Sequence, residues 1–377
     1  MIDPGLIRSC RAASKLLAED RALFPNLQMV GWGYKYENGK RTEKIVPVVG
    51  VTEKLTAGQI QSRSLRAIPS TIDGLPTDVK TVGIFTAPRE PKEAVVQEFT
   101  QRRRPALGGD SCGHRDITAG TLGAWVRRGQ DDTHVILSNA HVLSNVNRAS
   151  IGDYIYQPGP FDDGLELANR IAKLEEFVRI HFSDPGGGDG GGDKGPKKDG
   201  LARKWFGFWA GIANFPARLN HCPRRLVYEP NVTVRRRTGQ ALEQPYPNLV
   251  DTAAARAISE TDVSEEIRNL DEPLGFRDLE LGDLVRKSGR TTETTSGRVT
   301  VVEALVNVSY GSDGVAPFQD QFVIESENGG PFSKGGDSGS VIMTEDGFIG
   351  GLLFAGSATD TIANRISNVI SLLGIRL

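Results

Sequence analysis

Residues 333–356 read SKGGDSGSVIMTEDGFIGGLLFAG and combine a glycine-rich turn with two apolar runs. The runs SVIMTE and FIGGLLFA are short and are separated by turn-forming residues, which predicts two β-strands. The segment KGGDSG before them contains three glycines and predicts a tight turn. The stretch therefore predicts a turn that carries Ser338 directly in front of a strand.

The same strand pattern recurs along the chain from about residue 117. The further runs are ITAGTLGAWV, THVILS, GDYIYQ, NRIAKL, DTAAARAI, DLVRKS, GRVTVVEALVNVSY and DQFVIE. Many short strands without alternating helices favour an antiparallel barrel or sandwich over a doubly wound sheet. The last 18 residues place five apolar side chains at helical spacing, which predicts a closing helix with a face formed by Ile362, Ile366, Val369, Ile370 and Leu373.

The N-terminal region has a different pattern. Residues 5–21 have helical spacing, and the strand-like runs NLQMVGWGYKY, EKIVPVVGVTE and TDVKTVGIFTA follow them. A chain of 377 residues is long enough for two modules. We expect a small α+β accessory domain at residues 1–90 and a mostly-β domain at residues 91–377.

A glycine-rich insertion is expected at about residues 184–246. Its first part, DPGGGDGGGDKGPKKDG, is too poor in apolar residues to stay ordered. One GGGDGGGD copy does not make a calcium-binding repeat, which needs several stacked copies. The aromatic cluster KWFGFWAG after it is either an exposed docking patch or a hydrophobic anchor for the insertion, and the anchor is favoured.

Composition excludes several classes of partner and cofactor. Lys plus Arg number 45 and Asp plus Glu 47, so no net field favours nucleic acid or an anionic membrane. The chain lacks a signal-peptide pattern and any membrane-length apolar run, which predicts a cytoplasmic protein. The scattered Cys10, Cys112 and Cys222 predict reduced thiols and neither a disulfide framework nor a metal site. We expect no metal or other cofactor, and a homo-oligomer or regulatory protein partner stays open.

The turn at Ser338 has the features of an acyl-transfer nucleophile. The flanking glycines allow the N–H groups of Gly336 and Ser338 to converge on one oxyanion. The alternative is a glycine-rich turn without chemistry, so the motif needs a base elsewhere in the chain. THVILSNAHVLSN offers His141 at the end of a predicted strand, and without a partner it would be an ordinary buried or loop histidine.

A third residue must orient the imidazole. Asp251 in PNLVDTAAARAI has apolar neighbours that would bury it, and a buried aspartate needs a partner. The alternative is an aspartate that caps a strand. Asp163 in the polar turn FDDG is the second candidate, although its setting suits a solvated loop.

The stretches SNAHV, VDTAAA and GGDSGS, in the order His, Asp, Ser, resemble the trypsin/chymotrypsin-type serine proteases from about residue 105 to 377. Within that family the chain is most similar to bacterial and plant intracellular trypsin-like peptidases of the narrow-leaf type, which have an N-terminal accessory unit. The further stretches KSGRTTETTSGRV and GGLLFAGS support this resemblance. It implies a double β-barrel with His141 and Asp251 on the first barrel and Ser338 on the second.

The chain also departs from the family pattern. The interval between His141 and Asp251 is long, which the insertion explains. Glu293 stands where related chains tend to have glycine, which puts the local hairpin geometry in doubt. No activation sequence such as IVGG lies shortly before the first barrel, so Asp337 is expected to have no freed N-terminus as a partner.

The resemblance also implies where a substrate would bind. Phe332 would lie near the base of the specificity pocket, and Phe354 to Gly356 would pair with the substrate backbone, which predicts a preference for apolar or small side chains. The sequence thus predicts a serine endopeptidase that acts on proteins or peptides through His141, Asp251 and Ser338. The alternatives are a catalytically silent scaffold with this fold and an esterase that uses the same residues.

Overall fold

The computed structural model describes residues 3–19, 24, 26–63, 65–87, 98–129, 132–183 and 241–377. Within these residues strands predominate, which confirms the prediction of a mostly-β fold. The glycine-rich run at 184–200, the aromatic cluster from Trp205 to Trp209 and Cys222 lie outside the described residues. None of the helices in the described ranges is long and apolar enough to cross a membrane.

The N-terminal region begins with a helix that packs on a long hairpin. Cys10, Ala13 and Leu17 of this helix are buried, because they recur at helical spacing on one face. A second, short helix starts at Thr56, whose side chain forms a reciprocal capping box with Gln59. The elements are α1 Pro4–Glu19, β1 Leu27–Glu37, β2 Lys40–Val51, α2 Ala57–Ser62, β3 Thr71–Ile72, β4 Leu75–Pro76, β5 Asp78–Thr81 and β6 Phe85–Thr86.

The next part of the chain forms an antiparallel sheet of eight strands, completed by the last strand of the protein. The elements from Ala106 to Ile267 are β7 Ala106–Gly108, β8 Ser111–His114, β9 Gly120–Thr121, β10 Ala124–Arg128, β11 His134–Ser138, α3 Ala140–Leu143, β12 Tyr154–Tyr156, β13 Arg170–Phe177, β14 Ala253–Ala257 and β15 Val263–Ile267. The strand order in this sheet is β23-β10-β11-β14-β13-β12-β8-β9, and β7 pairs separately with β15.

The C-terminal part forms a closed ring of strands. Its elements are β16 Gly275–Phe276, β17 Leu284–Gly289, β18 Glu293–Ser309, β19 Val315–Ser326, β20 Val341–Thr344, β21 Phe348–Gly356, β22 Asp360–Arg365, α4 Ile366–Leu373 and β23 Ile375–Arg376. The strands pair in the order β17-β20-β21-β22-β19-β18, and β18 pairs with β17 again, which closes a six-stranded barrel.

The N-terminal strands extend this second sheet. β1 pairs with β18, and β2 and β5 follow it outward. β6 lies between β18 and β21 and pairs with both. One hydrophobic core joins Met29 and Val48 of the hairpin to Ile136 of the first sheet and to Phe318 and Phe354 of the second. The predicted domain boundary at residue 90 stays a prediction. In the structure, β1 and β6, which precede this residue, both pair with β18, which follows it.

The hairpin from β17 to β18 forms despite the glutamate in its turn. Gly289 pairs with Glu293, and Glu293 adopts a φ of 53°. A positive φ favours glycine because it has no Cβ, so a non-glycine residue here carries a small conformational cost. The turn geometry that was in doubt from the sequence is therefore reached with Glu293 in a left-handed conformation.

The closing helix is present but shorter than predicted. Residues Ile366–Leu373 form α4 and bury Val369 and Leu373, whereas Ile362 lies on β22. The prediction that placed Ile362 on the helical face is wrong. β22 pairs with β19 on one side and β21 on the other, and this tertiary pairing overrides the helical spacing.

Candidate active site

A buried aspartate and a histidine meet where two strands of the first sheet lie side by side. His141 is in α3, which follows β11 after one residue, and Asp251 lies two residues before the start of β14. β11 and β14 are antiparallel neighbours with Ser138 opposite Ala253, so the end of one strand meets the start of the other. His141 Nδ1 lies 2.6 Å from Asp251 Oδ2, and the His141 backbone N–H donates to Oδ1 at 3.1 Å. The predicted pair is thus brought together.

Asp251 is held by further hydrogen bonds, both donated and accepted, with distant segments. The Tyr310 hydroxyl donates to Asp251 Oδ2 at 2.7 Å. The Asn364 amide oxygen accepts the Asp251 backbone N–H, and Asn139 donates to the Asp251 carbonyl. Asp251 has no exposed surface. Burial, together with the negative charge of Asp251, raises the pKa of Tyr310 well above its ordinary value, so Tyr310 stays a protonated donor.

The other ring nitrogen of His141 is left without a partner. Nε2 is buried and forms no hydrogen bond within the part of the chain that the structure describes. Because Nδ1 faces a carboxylate, it carries the proton, and Nε2 is then an acceptor. The ring of Tyr310 packs edge-on against the imidazole, with 6.1 Å between centroids. The arrangement orients a basic nitrogen away from Asp251.

Ser338 lies in the turn before β20, and the first sheet holds this turn. The backbone N–H of Thr121 in β9 donates to the Ser338 carbonyl at 2.8 Å, and the Thr121 hydroxyl donates to the Gly336 carbonyl at 2.8 Å. The Thr121 carbonyl in turn accepts the hydroxyl of Ser138, which lies three residues before His141. β9 therefore connects the serine turn to the segment that carries the histidine.

Thr121 links the serine turn to the segment before His141, and the Ser338 and His141 side chains are not hydrogen-bonded to one another. Among the described residues, no hydrogen bond joins the Ser338 hydroxyl to His141. Ser338 is 1% exposed and His141 is 5% exposed.

The turn leaves two amides available. Gly336 and Gly339 have φ angles of 97° and 98°, which glycine adopts without steric cost. The N–H groups of Gly336 and Ser338 donate no hydrogen bond to any residue that the structure describes. Buried amides are normally paired, so these two N–H groups are left to donate to an acceptor that approaches the turn.

Asp337 is enclosed by donors and by a buried lysine. Its carboxylate accepts the backbone N–H groups of Thr291, Thr292 and Lys334 and the Thr292 hydroxyl, all at 2.7–3.0 Å. Lys287 Nζ lies 3.6 Å from Asp337 Oδ2, and both side chains are fully buried. Burial lowers the pKa of Lys287, and the charge of Asp337 opposes that shift. Lys287 thus supplies a cation that faces the Asp337 carboxylate.

The predicted substrate-contact residues lie next to the turn, mostly in the core. The side chains of Phe332 and Phe354 are buried, and the Phe354 ring packs on Phe318. Gly356 pairs with Thr361 on one edge of β21 and with Thr86 on the other. A contact between these three residues and a substrate stays a prediction.

Other predicted residues lie apart from this site. Asp163, the second candidate for the carboxylate, is exposed in a turn with a φ of 60°. Cys10 and Cys112 are buried free thiols, and burial raises the pKa of both. Within the described ranges, no three His, Cys, Asp or Glu side chains are grouped as metal ligands.

Several residues of the site were not found from the sequence. Tyr310 is the last residue of the run GRVTVVEALVNVSY, and Lys287 lies in the strand DLVRKS. Arg290 is fully buried and pairs with Asp162, next to the second-candidate Asp163. No local pattern indicates which distant carboxylate each of these residues reaches. The run DLVRKS contains three charged residues, so the sequence does not indicate that Lys287 in particular is buried.

No family model and no curated protein matches the chain. Solved structures with a similar arrangement of chain include Thermobifida fusca protease A, with 14% identity and a TM-score of 0.40 over 72% of this chain and 97% of that one. An α-lytic protease homologue, N4, has 15% identity and a TM-score of 0.40 over 72% of this chain and 98% of that one. A glutamic acid-specific serine protease has 15% identity and a TM-score of 0.38 over 72% of this chain and 100% of that one.

Proposed function

We propose that this protein is a serine endopeptidase in which Ser338 attacks the peptide carbonyl, His141 transfers the proton and Asp251 orients the imidazole. The observation that carries the proposal is the pair of hydrogen bonds that His141 donates to Asp251, with Nε2 of the ring left as a buried acceptor. A base of this kind is what a serine hydroxyl needs near neutral pH.

The reaction proceeds through an acyl-enzyme. The Ser338 oxygen forms a bond to the carbonyl carbon while its proton passes to His141 Nε2, and the carbonyl oxygen becomes negative. The N–H groups of Gly336 and Ser338 stabilise that charge. The peptide C–N bond then breaks as His141 gives its proton to the leaving amine, which leaves Ser338 as an ester of the acyl group. Water, deprotonated by His141, attacks this ester, and the ester bond to Ser338 breaks as the serine oxygen takes the proton back and the acid is released.

Substrate choice belongs to the same proposal. Two hydroxyl groups lie beside the strand that we propose pairs with the substrate, with Ser333 Oγ 2.6 Å from Thr361 Oγ1. Ser333 Oγ also lies 3.6 Å from the position that a Cβ of Gly356 would occupy. Both hydroxyl groups are uncharged and offer no ion-pair partner to a charged side chain, which supports the predicted preference for small or apolar side chains.

The test is covalent labelling and cleavage by three proteins: wild type, Ser338→Ala and Ser367→Ala. We expect a fluorophosphonate probe to label wild type and the Ser367→Ala control, in which an exposed hydroxyl of α4 bonded to Asp278 is removed. Ser338→Ala should be unlabelled and should lose casein cleavage with an unchanged Tm. Labelling of Ser338→Ala, or its full activity, would refute the assignment.

The same experiment separates the alternatives. A catalytically silent scaffold would leave the wild type unlabelled. An esterase would hydrolyse p-nitrophenyl esters and leave casein and peptides intact, whereas a peptidase hydrolyses both.

A further inference from the structure

The proposed oxyanion donors belong to the Gly335–Gly336 and Asp337–Ser338 peptide groups. In both groups the carbonyl oxygen accepts a hydrogen bond. The Gly335 carbonyl accepts the Thr291 hydroxyl at 2.7 Å. The Asp337 carbonyl accepts the Ser340 N–H at 3.0 Å and the Ser340 hydroxyl at 2.7 Å. In a trans peptide the N–H points opposite to the carbonyl. The anchors therefore set the directions of the Gly336 and Ser338 amides.

The two anchors differ in origin. Ser340 belongs to the serine turn itself and closes it locally. Thr291 comes from the turn between β17 and β18, more than forty residues earlier in the chain. It holds a peptide between two glycines, Gly335 and Gly336, which have more backbone freedom than any other residue pair. The Gly335–Gly336 peptide therefore depends on an external group for its orientation.

Arg290 determines the direction of the Thr291 hydroxyl hydrogen. Arg290 Nη1 donates to Thr291 Oγ1 at 3.2 Å. A guanidinium only donates, so the Thr291 oxygen accepts this bond and its own hydrogen is left for the Gly335 carbonyl. Arg290 is itself fixed, because it is fully buried and its Nε donates to Asp162 Oδ2 at 3.0 Å.

The Thr291 hydroxyl also packs directly on Gly336. A Cβ built on Gly336 would lie 2.3 Å from Thr291 Oγ1, which is far inside van der Waals contact. With a φ of 97°, Gly336 is already in a region that side chains disfavour. Hydrogen bond and packing thus act on the same peptide group.

We propose that Thr291 is a positioning residue whose hydroxyl holds the Gly335–Gly336 peptide so that the Gly336 N–H faces the reacting carbonyl oxygen. The inference rests on the proposed function. Without the hydroxyl, the diglycine peptide can rotate and present its carbonyl oxygen to the developing negative charge. The Ser338 amide would then be the remaining donor.

The test is the saturation kinetics of Ser338 labelling by a small alkyl fluorophosphonate in the full-length protein. Thr291→Val keeps the side-chain shape and removes the hydroxyl. We expect its maximal labelling rate to fall about 10- to 100-fold with an unchanged half-saturating concentration, since loss of one oxyanion donor costs about 100- to 1000-fold. Thr291→Ser restores the hydroxyl and should stay within about threefold of wild type.

Thr344→Val is the matched control. Thr344 is a buried threonine whose hydroxyl donates to the Phe348 carbonyl at 3.2 Å in the β20–β21 turn. We expect it to lower Tm about as much as Thr291→Val does and to leave the labelling rate unchanged. A Thr291→Val protein that is labelled at the wild-type rate overturns the inference, as does an equal rate loss in Thr344→Val. An unlabelled wild type would instead refute the proposed function.

Discussion

The carboxylate of Asp251 accepts three hydrogen bonds: two from His141 and one from Tyr310. A buried carboxylate is stable only when donors replace its lost hydration. The backbone contact fixes the position of α3, the Nδ1 contact fixes the ring, and the Tyr310 contact fixes the carboxylate. Each donor thus constrains a different degree of freedom of the same dyad.

Removal of the tyrosine hydroxyl should weaken both stability and activity. We expect Tyr310→Phe to lower the free energy of unfolding by about 1.5–3 kcal/mol, the usual contribution of a hydrogen bond to a charged group. The labelling rate of Ser338 should fall by about tenfold or less, because His141 keeps both of its bonds to Asp251. Tyr246→Phe, at a half-exposed tyrosine, is the control and should match wild type.

The effect of Tyr310→Phe should also depend on pH. The folded protein binds the Tyr310 proton more tightly than the unfolded chain does, because its pKa is raised by burial and by Asp251. The stabilisation is therefore complete below the ordinary tyrosine pKa of about 10 and decreases as pH rises above it. Denaturant titrations should show a constant difference between the two proteins up to that pH and a smaller one beyond it. A difference that grows at alkaline pH would contradict this assignment.

The serine turn is connected to β17 by a buried ion pair. Lys287 on this strand contacts Asp337, and its ammonium also donates to the Glu293 carbonyl at 2.8 Å. Asp337 in turn accepts the N–H groups of the two threonines in the turn before β18. The turn and the hairpin therefore fold as one assembly, with the charge of Lys287 at its centre.

Loss of this lysine should disrupt that assembly. Lys287→Met leaves a buried carboxylate without its cation, and we expect a loss of about 3–5 kcal/mol in the free energy of unfolding. Lys334→Met is the matched control, because it removes an exposed lysine from the same turn and should change stability by about 0.5 kcal/mol or less. Chemical denaturation measures both variants. Equal stability of the two would show that Asp337 is satisfied by its amide donors alone.

The N-terminal strands share their core with both large sheets. Phe85 on β6 is fully buried in that core, while its neighbour Ile84 is 58% exposed. β1 pairs along β18, and Thr86 pairs with Gly356 at the end of β21. Residues 3–183 and 241–377 accordingly belong to one compact unit.

Substitutions of the adjacent residues Phe85 and Ile84 test whether this unit unfolds as a whole. We expect Phe85→Ala to lower the free energy of unfolding by about 3–5 kcal/mol and Ile84→Ala to change it by less than about 0.5 kcal/mol. Phe85→Ala should also shift the whole unfolding curve as one transition, followed by both tryptophan fluorescence and far-ultraviolet circular dichroism. Two separate transitions would instead indicate an N-terminal domain that folds independently.

Local pattern was sufficient for most elements. The strands from THVILS to FIGGLLFA and the helix at the N-terminus follow from periodicity and turn residues, and the structure confirms them. His141, Asp251 and Ser338 could be predicted as site residues because the residues on either side of each one suit its chemical role. The meeting of His141 and Asp251 follows from the antiparallel neighbours β11 and β14.

The chain alone determined the identities and order of the three candidate residues, the strand-rich architecture and the existence of a closing helix, since these depend on neighbours within a few positions. Only the tertiary structure decided that residues 360–365 form a strand. It also decided that Tyr310 donates a hydrogen bond to Asp251, that Lys287 pairs with Asp337 and that Thr291 donates to the Gly335 carbonyl. Each of these depends on contacts between segments far apart in the chain. Periodicity reports which face of an element is buried, and it carries no information about which distant group meets that face.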